Sequence, residues 1–107
     1  MKPGMIKVSV MYPGGEGKKF DMDYYTQKHV PLVASLLGDA VKGASIEKGL
    51  GSAAPGSAAP FTTCGHLFFE SMEAFQNSFG PNAGQIMGDI PNFTNIEPVV
   101  QIAEVVI

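Results

Sequence analysis

The sequence predicts one α+β domain in which two helices lie on one face of a four-stranded antiparallel sheet, in the order β-α-β-β-α-β. Three observations predict it. Four short runs rich in β-branched and aromatic residues alternate with two amphipathic stretches of helical period. A run of Gly, Ala, Ser and Pro divides the chain into two strand-helix-strand halves. At 107 residues, the chain has the length of one domain and not of two. The domain is assigned to residues 5–107, with residues 1–4 as a tail.

The first strand covers Met5 to Tyr12, where Ile6, Val8, Val10 and Tyr12 are all apolar and Lys7 and Ser9 interrupt the other face. Pro13-Gly14-Gly15 ends it. Asp21 caps the next helix by accepting the free N–H groups of its first turn, and Asp23 suits the positive end of the dipole. Met22, Tyr25, Leu32, Val33, Leu36 and Leu37 then form one stripe as far as Gly38, a residue suited to a left-handed stop. Pro31 supplies no N–H to Gln27 and crowds its carbonyl, so the helix should bend around Lys28 to Val30.

A second strand is expected over Val41 to Leu50, weakened by Gly43 and Gly49. Residues 49–60 are almost all small or turn-forming and should make a flexible surface loop. The third strand, Phe61 to Phe69, carries Thr63, Gly65, Leu67 and Phe69 on one face and Thr62, Cys64, His66 and Phe68 on the other. Ser71 caps the second helix, which shows Ala74, Phe75, Ser78 and Phe79, pauses at Gly80-Pro81 and resumes through Ile86 and Met87. The last strand is Val99 to Val106. Its two faces and those of the third strand both read as apolar, where a sheet with one wet face should alternate cleanly. A second copy of the chain is therefore expected to cover the outer face, giving a homodimer.

Ten acidic against seven basic residues give a net charge of −3, scattered along the chain, which offers no footprint for nucleic acid or an anionic membrane. Cys64 is the only cysteine, so no intrachain disulfide can form. No secretory h-region or membrane-spanning run is evident, and a cytoplasmic location is expected.

His29 falls on the sheet-facing stripe beside the Pro31 kink. It serves either as a hydrogen-bonded histidine that fixes the kink or as a general base or donor in a pocket, since imidazole exchanges protons near neutral pH. Tyr25, four residues earlier, reaches the same side with a hydroxyl. His66, in mid-strand, is either satisfied by a neighbour or lines a cavity. Cys64 lies too far from His66 along a strand for a nucleophile-base hydrogen bond and reads as a small buried hydrophobe. Two histidines in different elements and no ligand spacing argue against a metal site, and no phosphate-binding or nucleophile-elbow motif is present, so no cofactor is expected. Phe68, Phe75, Phe79, Met87 and Phe93 are each core residues or, together with His66, the lining of an apolar pocket.

Longer motifs add a resemblance. Tyr12-Pro13, Phe20 leading into Asp21-Met22-Asp23-Tyr24-Tyr25, then His29-Val30-Pro31-Leu32, Leu67 to Phe75, and Asp89-Ile90-Pro91-Asn92-Phe93-Thr94-Asn95 running on to Pro98 are similar to the EthD family, associated with ethyl tert-butyl ether degradation. The resemblance spans about Ile6 to Val106. It implies a ferredoxin-like protomer whose sheet joins that of a second protomer in a dimeric α+β barrel, with a pocket between helices and sheet. It also implies His29 and Tyr25 as pocket residues. Relatives of that superfamily include cofactor-independent monooxygenases, isomerases and cyclases acting on small aromatic or oxygenated molecules. Two functions follow as expectations: an enzyme of catabolism or secondary metabolism using acid/base chemistry, or a non-catalytic protein that holds a small apolar compound for a partner oxygenase.

Overall fold

The computed structural model describes residues 2–107. Its four strands are β1 (Ile6–Pro13), β2 (Gly43–Lys48), β3 (Phe61–Phe69) and β4 (Val99–Glu104), paired antiparallel in the order β2-β3-β1-β4. Between β1 and β2 run α1 (Met22–Tyr24), a π-helical turn (Tyr25–His29) and α2 (Val30–Leu37). Between β3 and β4 run α3 (Met72–Phe79), α4 (Ala83–Gly88) and single 3-10 turns at Gly80–Asn82 and Ile90–Asn92. This is the predicted β-α-β-β-α-β order in a ferredoxin-like arrangement. Among the described residues, no helix is long and apolar enough to cross a membrane.

The barrel that the resemblance implied is not formed. The sheet is open, with β2 and β4 as its two edges. Four strands cannot close on themselves, since even a small barrel whose interior is filled by side chains takes about eight. The resemblance implied closure with a second protomer's sheet, and this chain by itself supplies only the open four-stranded half.

Register sets which residues face the helices. Ala44, Leu67, Val8 and Ile102 lie in one row across the four strands. Ile6, Val8 and Phe69 on the inner face pack with Leu37 and Ile86 in one buried cluster. Tyr12 and Tyr25 join Ile90, Phe93 and Ile96 in a second. The outer face is more polar than its sequence reading: alternation puts Lys7, Ser9, Glu47, His66 and Gln101 there beside Met11, Cys64, Phe68 and Val99. The strands β2 and β4 are each shorter than expected, and residues 49–58 are exposed. Within the expected tail, Gly4 donates its N–H to the Val105 carbonyl at 2.8 Å.

The caps behave as their chemistry predicts. Asp21 Oδ1 accepts the Tyr24 N–H at 3.0 Å, and Ser71 Oγ accepts the Ala74 N–H at 3.1 Å. Gly38 ends α2 with φ of 56°, a backbone conformation that a side chain would strain. Around Pro31 the chain widens instead of breaking. The Val30 N–H reaches back five residues to the Tyr25 carbonyl, so the missing Pro31 donor is absorbed by a π turn.

Thr63 carries one unresolved cost. It is wholly buried, and its Oγ1 has no hydrogen-bond partner among the described residues. A buried hydroxyl left unpaired costs about 1–3 kcal/mol. Thr63→Val keeps the shape and removes that cost. The variant should gain about 1 kcal/mol, read as a higher urea midpoint at unchanged slope; a lower midpoint would show that the hydroxyl is satisfied after all.

Candidate active site

The π turn begins at Tyr25 and ends at His29, and both side chains are buried. Their rings stack, with centroids 5.7 Å apart and planes 18° from parallel. Phe93 lies against the imidazole at 4.6 Å. π turns recur at functional sites because they reposition side chains that an α-helix would hold elsewhere.

Asp89, at the C-terminal end of α4, completes the arrangement. Its Oδ2 lies 2.9 Å from His29 Nδ1, while its Oδ1 accepts the Tyr24 hydroxyl at 2.7 Å and the Asn92 amide at 2.8 Å. Burial alone would raise the Asp89 carboxyl, but the hydrogen bonds from Asn92, Tyr24 and His29 outweigh it and hold the group below the ordinary carboxylate value. An ionised Asp89 can only accept, so Nδ1 of His29 carries the proton and donates. In a neutral ring held this way, the lone pair is on Nε2. Donating to Asp89 pushes the Tyr24 hydroxyl above the usual tyrosine value.

The stretch after Asp89 is stitched to the start of the first helical run, which fixes this pair. Phe20 and Thr94 form an isolated bridge, the Asp21 N–H donates to the Phe93 carbonyl at 2.7 Å, and Asn95 both accepts the Lys19 N–H and donates to the Gly17 carbonyl. The Asp89 to Asn95 motif is thus a clamp that sets the carboxylate against His29.

His29 and Tyr25 both border a cavity of about 350 Å³ between sheet and helices. Its floor is Val8, Val10, Gly65 and Leu67; its walls are Val30, Val33 and Leu37 on one side and Phe75, Phe79, Ile86 and Met87 on the other. This volume is at the small end of ligand pockets, and a lining of apolar side chains with a few convergent polar groups is their usual composition. The Tyr25 hydroxyl points at Gly65, where the strand has no side chain to obstruct it. Burial pushes that hydroxyl up to about 12, with Cys64 adding to the shift, so it stays protonated and able to donate at neutral pH.

The sequence-predicted residues separate into three groups. His29, Tyr25, Phe75, Phe79 and Met87 line this cavity. Phe93 lies beneath the His29 ring, packed in the core. His66 and Phe68 lie on the opposite face of the sheet. There His66 Nδ1 is 2.8 Å from Ser9 Oγ and its Nε2 is 3.1 Å from Glu47 Oε1. The structure also gathers Glu47, Cys64 and His66, which sequence spacing did not suggest. Asp89 was not singled out from the sequence, and only its place in the Asp89 to Asn95 motif marked it.

The family model for the EthD domain matches residues 14–97. Among solved structures, an EthD-like protein from Ralstonia eutropha JMP134 is 42% identical, with a TM-score of 0.91 over 99% of this chain and 96% of that one. An ethyl tert-butyl ether (EthD) family protein from Bacillus halodurans C-125 shares 17% identity, with a TM-score of 0.67 over 94% of this chain and 97% of the other. A hydroxynitrile lyase from Passiflora edulis shares 19% identity, with a TM-score of 0.60 over 97% and 95% of the two chains. The last two likenesses concern the fold. No curated protein matches the chain.

Proposed function

The chain belongs to the EthD family, and on that premise we propose that it is an enzyme acting on a small, largely apolar molecule that carries one carbonyl or hydroxyl oxygen. The observation that carries this reading is His29, paired with Asp89, bordering an apolar cavity. Asp89 fixes the tautomer of His29, as an orienting carboxylate does for a histidine base, and leaves Nε2 to take a proton from the bound molecule. Tyr25 donates its hydroxyl hydrogen to the substrate oxygen and stabilises charge that develops there. The apolar walls supply the rest of the binding and keep water from competing.

The test is turnover of phenols and lactones small enough for the cavity. Loss of the general base in His29→Ala should lower the rate by about 10²–10⁴-fold, while binding measured by calorimetry changes little. If wild type and His29→Ala bind the same compounds and neither turns them over, the chain is a holding protein for a partner oxygenase and the enzyme reading falls.

We further propose that the protein works as a homodimer. Edge strand β4 exposes Val99, Val100 and Ile102 at 46–49% of their surface, on both of its faces, and Val106 beyond it is more exposed still. Unpaired apolar edges are templates for association, and natural proteins cover or charge them. Sedimentation at micromolar concentration should give twice the chain mass, and Val100→Lys should return it to one; a monomeric wild type would refute the assignment.

A further inference from the structure

On the sheet face turned away from the cavity, two neighbouring strands assemble a mixed donor set. Glu47 of β2 stands directly across from Cys64 of β3, and His66 follows two residues later on the same face. One donor atom from each, a carboxylate oxygen, a thiol sulfur and an imidazole nitrogen, lie within 4.8 Å of one another. Their neighbours aim them. Ser9 of β1 holds His66 Nδ1 at 2.8 Å, and Ser45 holds Glu47 Oε2 at 3.0 Å.

We propose that Glu47, Cys64 and His66 form a zinc site with three protein ligands and one open position. Nitrogen, sulfur and oxygen donors together suit Zn²⁺ better than Mg²⁺ or Ca²⁺, which take oxygen alone. Bonds of about 2.0–2.3 Å in a tetrahedron place ligands roughly 3.3–3.8 Å apart. The donors therefore need to close by at most about 1.5 Å, and the exposed Glu47 side chain can swing to do so.

The histidine is prepared for this exchange. Without metal, Nε2 carries the proton, donates to Glu47 and accepts the Ser9 hydroxyl at Nδ1. With Zn²⁺ bound at Nε2, the proton sits on Nδ1 and is donated to Ser9 Oγ, the outer hydrogen bond that zinc-bound histidines commonly make. The thiol loses its proton to solvent on binding. Lys7 shares this face, and its ammonium opposes the ion; the thiolate and carboxylate together outweigh that single charge. The alternative is a histidine-carboxylate pair beside an uninvolved thiol.

Titration with Co²⁺ as a spectroscopic stand-in should give one ion per chain, a thiolate-to-cobalt charge-transfer band and the strong visible absorption of tetrahedral cobalt, both lost on adding Zn²⁺. Cys64→Ala should abolish the charge-transfer band. Ser9→Ala should weaken Zn²⁺ binding by about tenfold or more. Because Cys64 is the only cysteine, its modification by an aromatic disulfide reads the site in the unaltered protein, and Zn²⁺ should slow it. Wild-type protein that binds no Co²⁺ at micromolar concentration, or binds it without a band, or whose thiol Zn²⁺ fails to protect, would overturn the proposal.

Discussion

Asp89→Asn should abolish most turnover while leaving the cavity and its binding intact. The carboxylate does not itself line the cavity; it acts through His29, whose Nδ1 lies 2.9 Å away. An asparagine at that distance can present its amide as donor, which moves the imidazole proton to Nε2 and leaves the general base without a lone pair on the substrate side. Loss of the correctly oriented base predicts a rate lower by about 10²–10⁴-fold and a dissociation constant within a few fold of the wild type. Equal loss of binding would mean that Asp89 shapes the cavity and does not orient the base.

The same variant carries a stability signature. The folded Asp89 carboxyl lies below its ordinary value, so its contribution is complete above about pH 4 and is lost as pH falls through the folded value. Wild-type stability should drop along that acid limb, and Asp89→Asn should lack this part of the drop, starting from a lower plateau at neutral pH. Urea midpoints measured from pH 2 to 7 separate the two curves.

Much of the scaffold was legible because it is written in local chemistry. The bounds of β3, the caps Asp21 and Ser71 and the stop at Gly38 follow from side chains acting within a turn or a strand. Pro31 announced a disturbance, but whether a helix meets it by kinking or by a π turn depends on what packs against it, here Tyr12, Phe20 and Phe93 around Tyr25. The site was half legible for a similar reason. His29 and Tyr25 share one turn, whereas Asp89 lies 60 residues from His29 and arrives only through the clamp of residues 89–95 on residues 17–21. Alternation in β3 set His66 and Phe68 apart from Leu67 and Phe69, but only the Val8 to Leu67 register decides which set meets the helices. Closure into a barrel has no local signature in the sequence, and the barrel implied by the resemblance is not found in the open sheet.

Gly65→Ala should be destabilising at a strand position where the change would otherwise help. Gly65 lies in β3 without a positive φ, and replacing such a glycine ordinarily stabilises by about 0.4–1 kcal/mol through the unfolded chain. Here a Cβ would stand 2.6 Å from the Tyr25 hydroxyl, with Ile46 Cδ1 at 3.5 Å and the Val10 carbonyl at 3.9 Å. The hydroxyl cannot yield alone, because the Tyr25 ring is held by Phe20 at 5.0 Å, Phe93 at 5.2 Å, His29 at 5.7 Å and Tyr12 at 6.0 Å. Overpacking of this kind costs about 1–3 kcal/mol, enough to reverse the sign. Tyr25→Phe removes the obstructing oxygen, so in that background the alanine should be neutral or stabilising. The cycle of wild type, two single variants and the double variant should return a coupling of at least about 1 kcal/mol. Gly65→Ala should also lower turnover, since it drives the Tyr25 hydroxyl away from the substrate oxygen while His29 and Asp89 stay paired. An alanine equally costly in both backgrounds would place its strain in the strand and not against Tyr25.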